Sequence, residues 1–183
     1  MDLLASTWVV VQLLGIALIL TLPASATDEA GRSLALSSPA FENGSIIPER
    51  YTCSGQNESP PLKWAGIPRA ARSLALILDD PDAPLGPFVH WVIYDFSAST
   101  LGLPAGGPPS GAPGNGERGL NGGNTIGYTG PCPPPGQPHH YHFRLYALDH
   151  PLDLKAGATA QQVEMAMKGH LLGSTELVGI FQR

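Results

Sequence analysis

Carboxylate and imidazole side chains flank one short turn in the middle of the chain. The turn carries Asp80 and Asp82 and three prolines, and His90 follows it just inside the next apolar run. Proline fixes φ and removes a backbone donor, so such a turn can hold carboxylates in place. A carboxylate near an imidazole suits a polar binding site, whereas the alternative is a turn cap and a structural histidine. From this stretch alone the structural alternative is favoured.

A second polar cluster follows a proline-rich segment that reads GPCPPPG at 130–136. His139 and His140 then open an apolar run with Tyr141. Neighbouring residues of a strand point to opposite faces, so these two histidines are not expected to share a site. The metalloprotease pattern H-E-x-x-H and the hydrolase pattern G-x-S-x-G are both absent from the sequence. We therefore expect no enzyme activity, no metal ion and no cofactor.

These side chains lie on or beside segments that read as strands. The runs Leu74–Leu78 and Phe88–Phe96 are apolar and of strand length, which predicts two buried strands around the acidic turn. In Tyr141–Asp149 an apolar face, which includes Tyr141, alternates with a polar face, which predicts a third strand. Shorter strands are predicted at Ser33–Leu36, Leu62–Trp64 and Leu177–Phe181.

One helix is predicted, at Thr159–Leu172, because Thr159 and Gln162 have capping-box spacing and Gly173 can end it. Its buried stripe comprises Ala160, Val163, Met167 and Leu171. The Gly- and Pro-rich stretch Leu103–Tyr128 predicts a long loop, either functional or a surface insertion. Several strands, one helix near the end and such loops predict a mainly β single domain.

The first residues have the pattern of a secretory signal. Trp8–Leu22 is almost wholly apolar and leads into small residues that end at Ala26. We predict a signal peptide at 1–26, a flexible leader at 27–32 and an exported protein, periplasmic or secreted. An uncleaved anchor is the alternative, because Asp2 and no lysine or arginine precede the apolar run.

Charge and cysteine content indicate which partners and which covalent links to expect. The formal net charge is −5 and no cluster of basic residues occurs, so nucleic acid is not an expected partner. Cys53 and Cys132 are the two cysteines, and in an exported chain they predict a disulfide rather than two buried thiols. Asn43 and Asn57 begin Asn-x-Ser patterns for glycans, which would matter in a eukaryotic secretory pathway.

The ordered motifs together resemble a known family. The sequence contains DDPDAP, a strand that starts HW, then GPCPPPG and HHY; YTCSGQNESPPLKW at 51–64 and Gly169-His170 also match. The chain thus resembles the phosphatidylethanolamine-binding protein family, also called Raf kinase inhibitor-like proteins, and especially its bacterial and archaeal branch. The resemblance implies one domain at 33–183, with a central antiparallel or mixed sheet packed on a smaller sheet, a C-terminal helix and long loops.

The resemblance also implies an anion pocket. Its ligand-binding positions fall on Asp80, His90, Cys132, His139 and Tyr141, where Cys132 contributes its backbone amide and Asp80 orients an imidazole and favours its protonated form. Supporting positions fall on Asp82, Pro84, Pro133, Pro134 and His140. Relatives carry arginine at position 140, and His140 is a weaker, pH-dependent substitute. Both cysteine loops are implied to lie near the pocket mouth, which supports a Cys53–Cys132 pair.

We therefore expect an exported, non-enzymatic protein that binds a small anion, such as phosphate or a phospholipid head group. Membrane contact is expected only through such head groups or an uncleaved signal segment. The alternative is a protein that inhibits a protease or a kinase through its surface, for which the sequence names no partner. A metal-dependent or hydrolytic enzyme is the least favoured class.

Overall fold

Strands and turns make up most of the protein. The computed structural model describes residues 33–107 and 115–183, so the predicted signal peptide and leader lie outside the described residues and stay predictions. The described strands are β1 Ala35–Ser37, β2 Ser45–Ile46, β3 Leu62–Ala65, β4 Ser73–Asp80, β5 Phe88–Ser97, β6 Gly102–Leu103, β7 Asn115–Arg118, β8 His139–Leu148 and β9 Leu171–Phe181. A short 3-10 helix lies at Glu49–Tyr51, and the α-helix α1 spans Ala160–Ala166. None of the helices in these ranges has the length and apolar character needed to cross a bilayer.

The strands form two sheets. The larger has six strands in the order β2-β9-β8-β4-β5-β7, and the smaller has the order β1-β3-β6. All pairs are antiparallel except β2 with β9, which makes the larger sheet mixed. The prediction of a mainly β domain with two sheets and a C-terminal helix is confirmed.

The larger sheet is covered on both faces. Leu74, Leu76 and Leu78 of β4 pack with side chains of the smaller sheet, while Ala75 and Ile77 pack with α1. Because both faces of β4 are buried, its sequence is a continuous apolar run and does not alternate between apolar and polar residues. The fold therefore has three layers: the small sheet, the large sheet and the helix.

The start and the inner face of α1 agree with the prediction. Thr159 accepts a hydrogen bond from the Gln162 amide, and the Gln162 side chain accepts one from the Thr159 amide, which completes the capping box. Val163 and Met167 are buried against the large sheet.

The predicted end of the helix is wrong. The helix stops at Ala166, and Gly169 adopts a φ of +84°, a conformation open to glycine that turns the chain away. Leu171 is 49% exposed and begins β9, so it is not part of the buried stripe. Strand β9 thus starts at Leu171 and not at the predicted Leu177, because it pairs with β8 along that strand's whole length.

Other boundaries shift by a few residues. The first strand is Ala35–Ser37, one to two residues later than predicted, and β8 begins at His139. The stretch predicted as one long loop includes β7, which pairs with β5. A Cβ on Gly116 would lie 2.4 Å from the carbonyl oxygen of Tyr94, so glycine allows this close pairing. Residues 108–114 of the same stretch lie outside the described residues.

Candidate functional site

A cavity of about 400 Å³ opens where β4 ends and β5 and β8 begin. Its lining residues are Asp80, Ala83, Pro84, Leu85, Gly86, Phe88, His90, Thr129, Gly130, Cys132, Pro133, Pro134 and His139. Asp80 is the last residue of β4 and His139 is the first of β8, and these two strands are neighbours in the sheet. Strand pairing therefore brings together residues that are far apart in the chain.

Asp80 and His139 form a buried pair. Nδ1 of His139 lies 2.7 Å from Oδ2 of Asp80, and both residues are buried. The amide of Asp82 donates to the other oxygen, Oδ1 of Asp80, at 2.9 Å, which fixes the plane of the carboxylate. Because an ionised carboxylate only accepts, Nδ1 of His139 is the donor. Nε2 is the ring nitrogen that remains for a ligand.

His90 reaches the same cavity because β5 is irregular there. The pairing of β4 with β5 passes from Leu78–Trp91 to Asp79–Val89, which leaves His90 as an extra residue, as in a β-bulge. Such a bulge re-aims a side chain. The His90 ring packs edge-on against Tyr141, with 5.2 Å between the ring centroids.

The hydrogen-bond partners and the burial of His90 determine the protonation of its imidazole. Its Nδ1 lies 2.8 Å from the carbonyl oxygen of Thr129, which can only accept, so Nδ1 carries a proton. Burial lowers the pKa of His90 from its ordinary value of 6.5, although the Thr129 carbonyl and the Asp80 carboxylate oppose this effect. At neutral pH His90 is therefore a neutral imidazole whose Nε2 accepts hydrogen bonds.

Tyr141 lies beneath the cavity and does not line it. It is fully buried, and its hydroxyl has no hydrogen-bond partner among the described residues. Burial, and then the nearby Asp80 carboxylate, raise the pKa of this hydroxyl, so it stays protonated. The Asp80 carboxylate is thus the polar group nearest in effect to this hydroxyl, which lies under the buried pair of Asp80 and His139.

His140 points away from the cavity, as predicted for a neighbour of His139. Its backbone amide and its Nδ1 both contact Oδ2 of Asp82, at 2.8 and 2.7 Å. The hydrogen bonds from His140 lower the pKa of the Asp82 carboxyl. This pair joins the acidic turn to the start of β8. His140 therefore has the supporting place that the family resemblance implied for it.

One wall of the cavity is the proline-rich segment, which other parts of the chain hold in place. Cys132 forms the predicted disulfide with Cys53, and the Cys53 amide donates to the carbonyl of Pro131 at 3.1 Å. The amide of Gly130 donates to Oδ1 of Asn57 at 2.7 Å. Since prolines surround Cys132, its amide is the sole backbone N–H from 131 to 135.

Several contributions to the site were not predicted from the sequence. Thr129 holds His90, and Asn57, noted for its glycan pattern and as part of the matching stretch 51–64, anchors Gly130. Nε of Arg183 donates to the carbonyl of Pro133 at 2.9 Å, which braces the wall from the end of the chain. The apolar rim around the fully exposed Leu85 was also missed. Thr129, which directly precedes the GPCPPPG motif, and Asn57, within the matching stretch 51–64, had a sequence signal.

The predicted site residues therefore differ in their position relative to the cavity. Asp80, His90, Cys132 and His139 line one cavity together with the supporting residues Pro84, Pro133 and Pro134. Tyr141 lies below it, and Asp82 and His140 lie beside it. The protein is thus a two-sheet β protein with a cavity at its strand ends that holds a buried carboxylate–imidazole pair.

Comparison with known proteins identifies the family. The family model described as phosphatidylethanolamine-binding protein matches residues 37–182. A UPF0098 protein of Methanothermobacter thermautotrophicus is 50% identical over 149 residues, which cover 81% of this chain and 98% of the relative. The crystal structure of a phosphatidylethanolamine-binding protein homologue from Chlamydia trachomatis superposes with a TM-score of 0.78 and 38% identity, covering 84% of this chain and 99% of the other.

A third relative has a name that refers to the cell envelope. LppC of Mycobacterium tuberculosis, named as a candidate lipoprotein, is 39% identical over 163 residues, covering 88% of this chain and 79% of the relative. The chain belongs to the phosphatidylethanolamine-binding protein family, as the sequence motifs indicated.

Proposed function

We propose that the protein is an exported, non-enzymatic binding protein whose cavity takes a small phosphate-bearing anion, either free or as a phospholipid head group. The observation that carries this proposal is that His90, His139 and the turn at Cys132 line one cavity, in which the buried Asp80 carboxylate holds His139 in place.

The chemistry of the other groups fits a phosphate. Nε2 of His90 and Nε2 of His139 are the ring nitrogens that Thr129 and Asp80 do not engage, and Cys132 supplies one backbone amide. A hydrogen phosphate carries oxygens that accept and a hydroxyl that donates, so it can pair with both neutral and protonated imidazoles. Both oxygens of the Asp80 carboxylate already have donors, Nδ1 of His139 and the amide of Asp82.

Two features support binding without catalysis. Cys132 is held in a disulfide, so it offers no thiolate nucleophile. The raised pKa of Tyr141 keeps its hydroxyl protonated, which makes it a donor and a poor nucleophile.

Export is supported by three separate observations. Residues 1–26 have the pattern of a signal peptide, and the disulfide is of a kind that persists in oxidising compartments. The relative LppC is named as a candidate lipoprotein. We therefore assign the protein to the cell envelope or the exterior.

Calorimetric titration with phosphate, sulfate and phosphoethanolamine tests the cavity. His90→Ala and His139→Ala should each weaken phosphate binding about 10- to 150-fold, the equivalent of losing a charge-assisted hydrogen bond of about 1.5–3 kcal/mol. Tyr141→Phe should cost less, because it removes a neutral donor and keeps the ring. His142→Asn is the matched control, since its side chain lies on the opposite face of β8 and contacts Glu176.

Equal binding by the wild type and all three cavity variants, or binding by none of them, would contradict the proposal. The histidines would then be structural, and a function exerted through the surface, on a protease or a kinase, would become the favoured one.

A further inference from the structure

A second group of polar side chains lies at the opposite end of β8 from the cavity. Asp149 and His150 follow the strand directly, and His170 immediately precedes β9. Nδ1 of His150 lies 2.6 Å from Oδ1 of Asp149, and Nδ1 of His170 lies 3.2 Å from the same oxygen. The two imidazole rings are perpendicular, with 3.8 Å between their centroids.

The backbone holds these three residues together. The amide of Asp149 donates to the carbonyl of His170 at 3.1 Å, and the amide of His170 donates to the carbonyl of Met167 at 3.1 Å. Gly169, with its positive φ, makes the turn that brings His170 back from the end of α1. The cluster is therefore built on the ends of regular elements and not on a long free loop.

The donor atoms suit a metal ion. One ligand atom from each residue can be chosen so that all three lie within 4.8 Å of one another. The side chains are 45%, 46% and 40% exposed for Asp149, His150 and His170, so an ion could enter and keep water in its remaining positions.

We propose that Asp149, His150 and His170 form a binding site for one divalent transition-metal ion, with Zn²⁺ as the representative. Two imidazoles and one carboxylate are ligands that zinc, copper, nickel and iron accept, whereas Ca²⁺ and Mg²⁺ prefer oxygen ligands alone. The site is separate from the cavity, because the ten residues of β8 span roughly 30 Å between them. It would join the end of β8 to the turn between α1 and β9.

Protons compete with metal ions for imidazole, so the titration is made at about pH 7.5 on the full chain without a polyhistidine tag. Calorimetry with Zn²⁺ should show one ion per chain, and the melting temperature should rise with Zn²⁺ because the ion binds the folded state. His150→Ala and His170→Ala should each weaken binding by at least about tenfold, and Mg²⁺ should not compete. Melting without metal verifies that each variant is folded.

Two control variants separate this site from other histidines. His140→Ala removes an imidazole that also contacts a single carboxylate, Asp82, and should leave zinc binding unchanged. His139→Ala tests the cavity, where an imidazole and a buried carboxylate also meet. Absence of binding, binding unchanged in His170→Ala, or binding lost in His139→Ala and kept in His170→Ala would each overturn the proposal. The result does not depend on whether the cavity binds an anion.

Discussion

The imidazoles of His90 and His139 face one cavity, but different groups hold their Nδ1 atoms. A backbone carbonyl fixes the tautomer of His90, whereas the Asp80 carboxylate orients His139. The expectation that Asp80 orients an imidazole therefore applies to His139. For His90 the effect of burial exceeds the attraction of Asp80, so the pKa of His90 falls instead of rising.

This difference predicts how anion binding depends on pH. Sulfate does not titrate near neutrality, so any change in its affinity reports protein groups. Because the imidazolium form of His90 adds a positive charge and a second donor, sulfate affinity should rise as pH falls. The pKa of His90 in the free protein is lowered, so the rise due to this residue should continue to below pH 6.5 before it levels off. Calorimetric titration across pH 5 to 8 measures it.

The variant His90→Ala should lose that part of the pH dependence. Asp80 and His139 also face His90, so the difference between the wild type and this variant, and not the variant's own pH profile, isolates the contribution of His90. If the sulfate affinity of His90→Ala changed with pH as steeply as that of the wild type, His90 would not be the titrating group.

At the scale of elements, strand β8 places side chains on both faces of the large sheet. Its residues Tyr141, Phe143 and Leu145 pack toward the small sheet, whereas Arg144 on the other face pairs with Asp79 and Glu176. The period of two in the strand thus separates the cavity side from a charged side. Helix α1 packs on that second face through few residues, because it has only seven.

The packing of α1 predicts different effects at two methionines. Met167 is 6% exposed and Met165 is 61% exposed. Met167→Asp would bury an unpaired carboxylate and should lower the free energy of unfolding by at least about 3 kcal/mol. Met165→Asp, the matched control, should change it by no more than about 0.5 kcal/mol. Urea denaturation of both variants measures these changes; equal stability would mean that α1 does not dock through Met167.

At the scale of the whole molecule, distant segments meet at the cavity wall. Cys53, Asn57 and Arg183 all hold residues between 130 and 133. The wall thus depends on contacts between an early loop, the proline-rich segment and the last residue of the chain. Loss of one of these contacts is expected to affect both stability and the shape of the cavity.

The disulfide gives the clearest test of this dependence. It closes a loop of sequence separation 79, for which the chain-entropy model gives a stabilisation of about 4–5 kcal/mol. Reductant should therefore lower the melting temperature of the wild type. The variant with both Cys53→Ser and Cys132→Ser should melt at the lower temperature and be insensitive to reductant. A thiol assay on denatured, unreduced protein that found two free thiols would show that the pair does not form in solution.

Local patterns in the sequence were sufficient for much of the fold. The apolar runs at Leu74–Leu78 and Phe88–Phe96 predicted the neighbouring strands β4 and β5, and Thr159 with Gln162 predicted the helix start. These features depend on residues a few positions apart, whose spacing and backbone preferences are visible in the chain. The order of the family motifs also pointed to Asp80 and His90 as neighbours before any geometry was known.

Tertiary structure decided what depends on contacts between distant residues. Pairing with β8 assigned Leu171 to a strand and not to the helix, and the irregular register of β5 aimed His90 into the cavity. The brace from Arg183 and the approach of His170 to Asp149 have no local pattern, since 50 and 21 residues separate the partners. Such contacts form only when sheets and loops pack together. The positions of these side chains therefore depend on the whole fold and not on the residues next to them in the sequence.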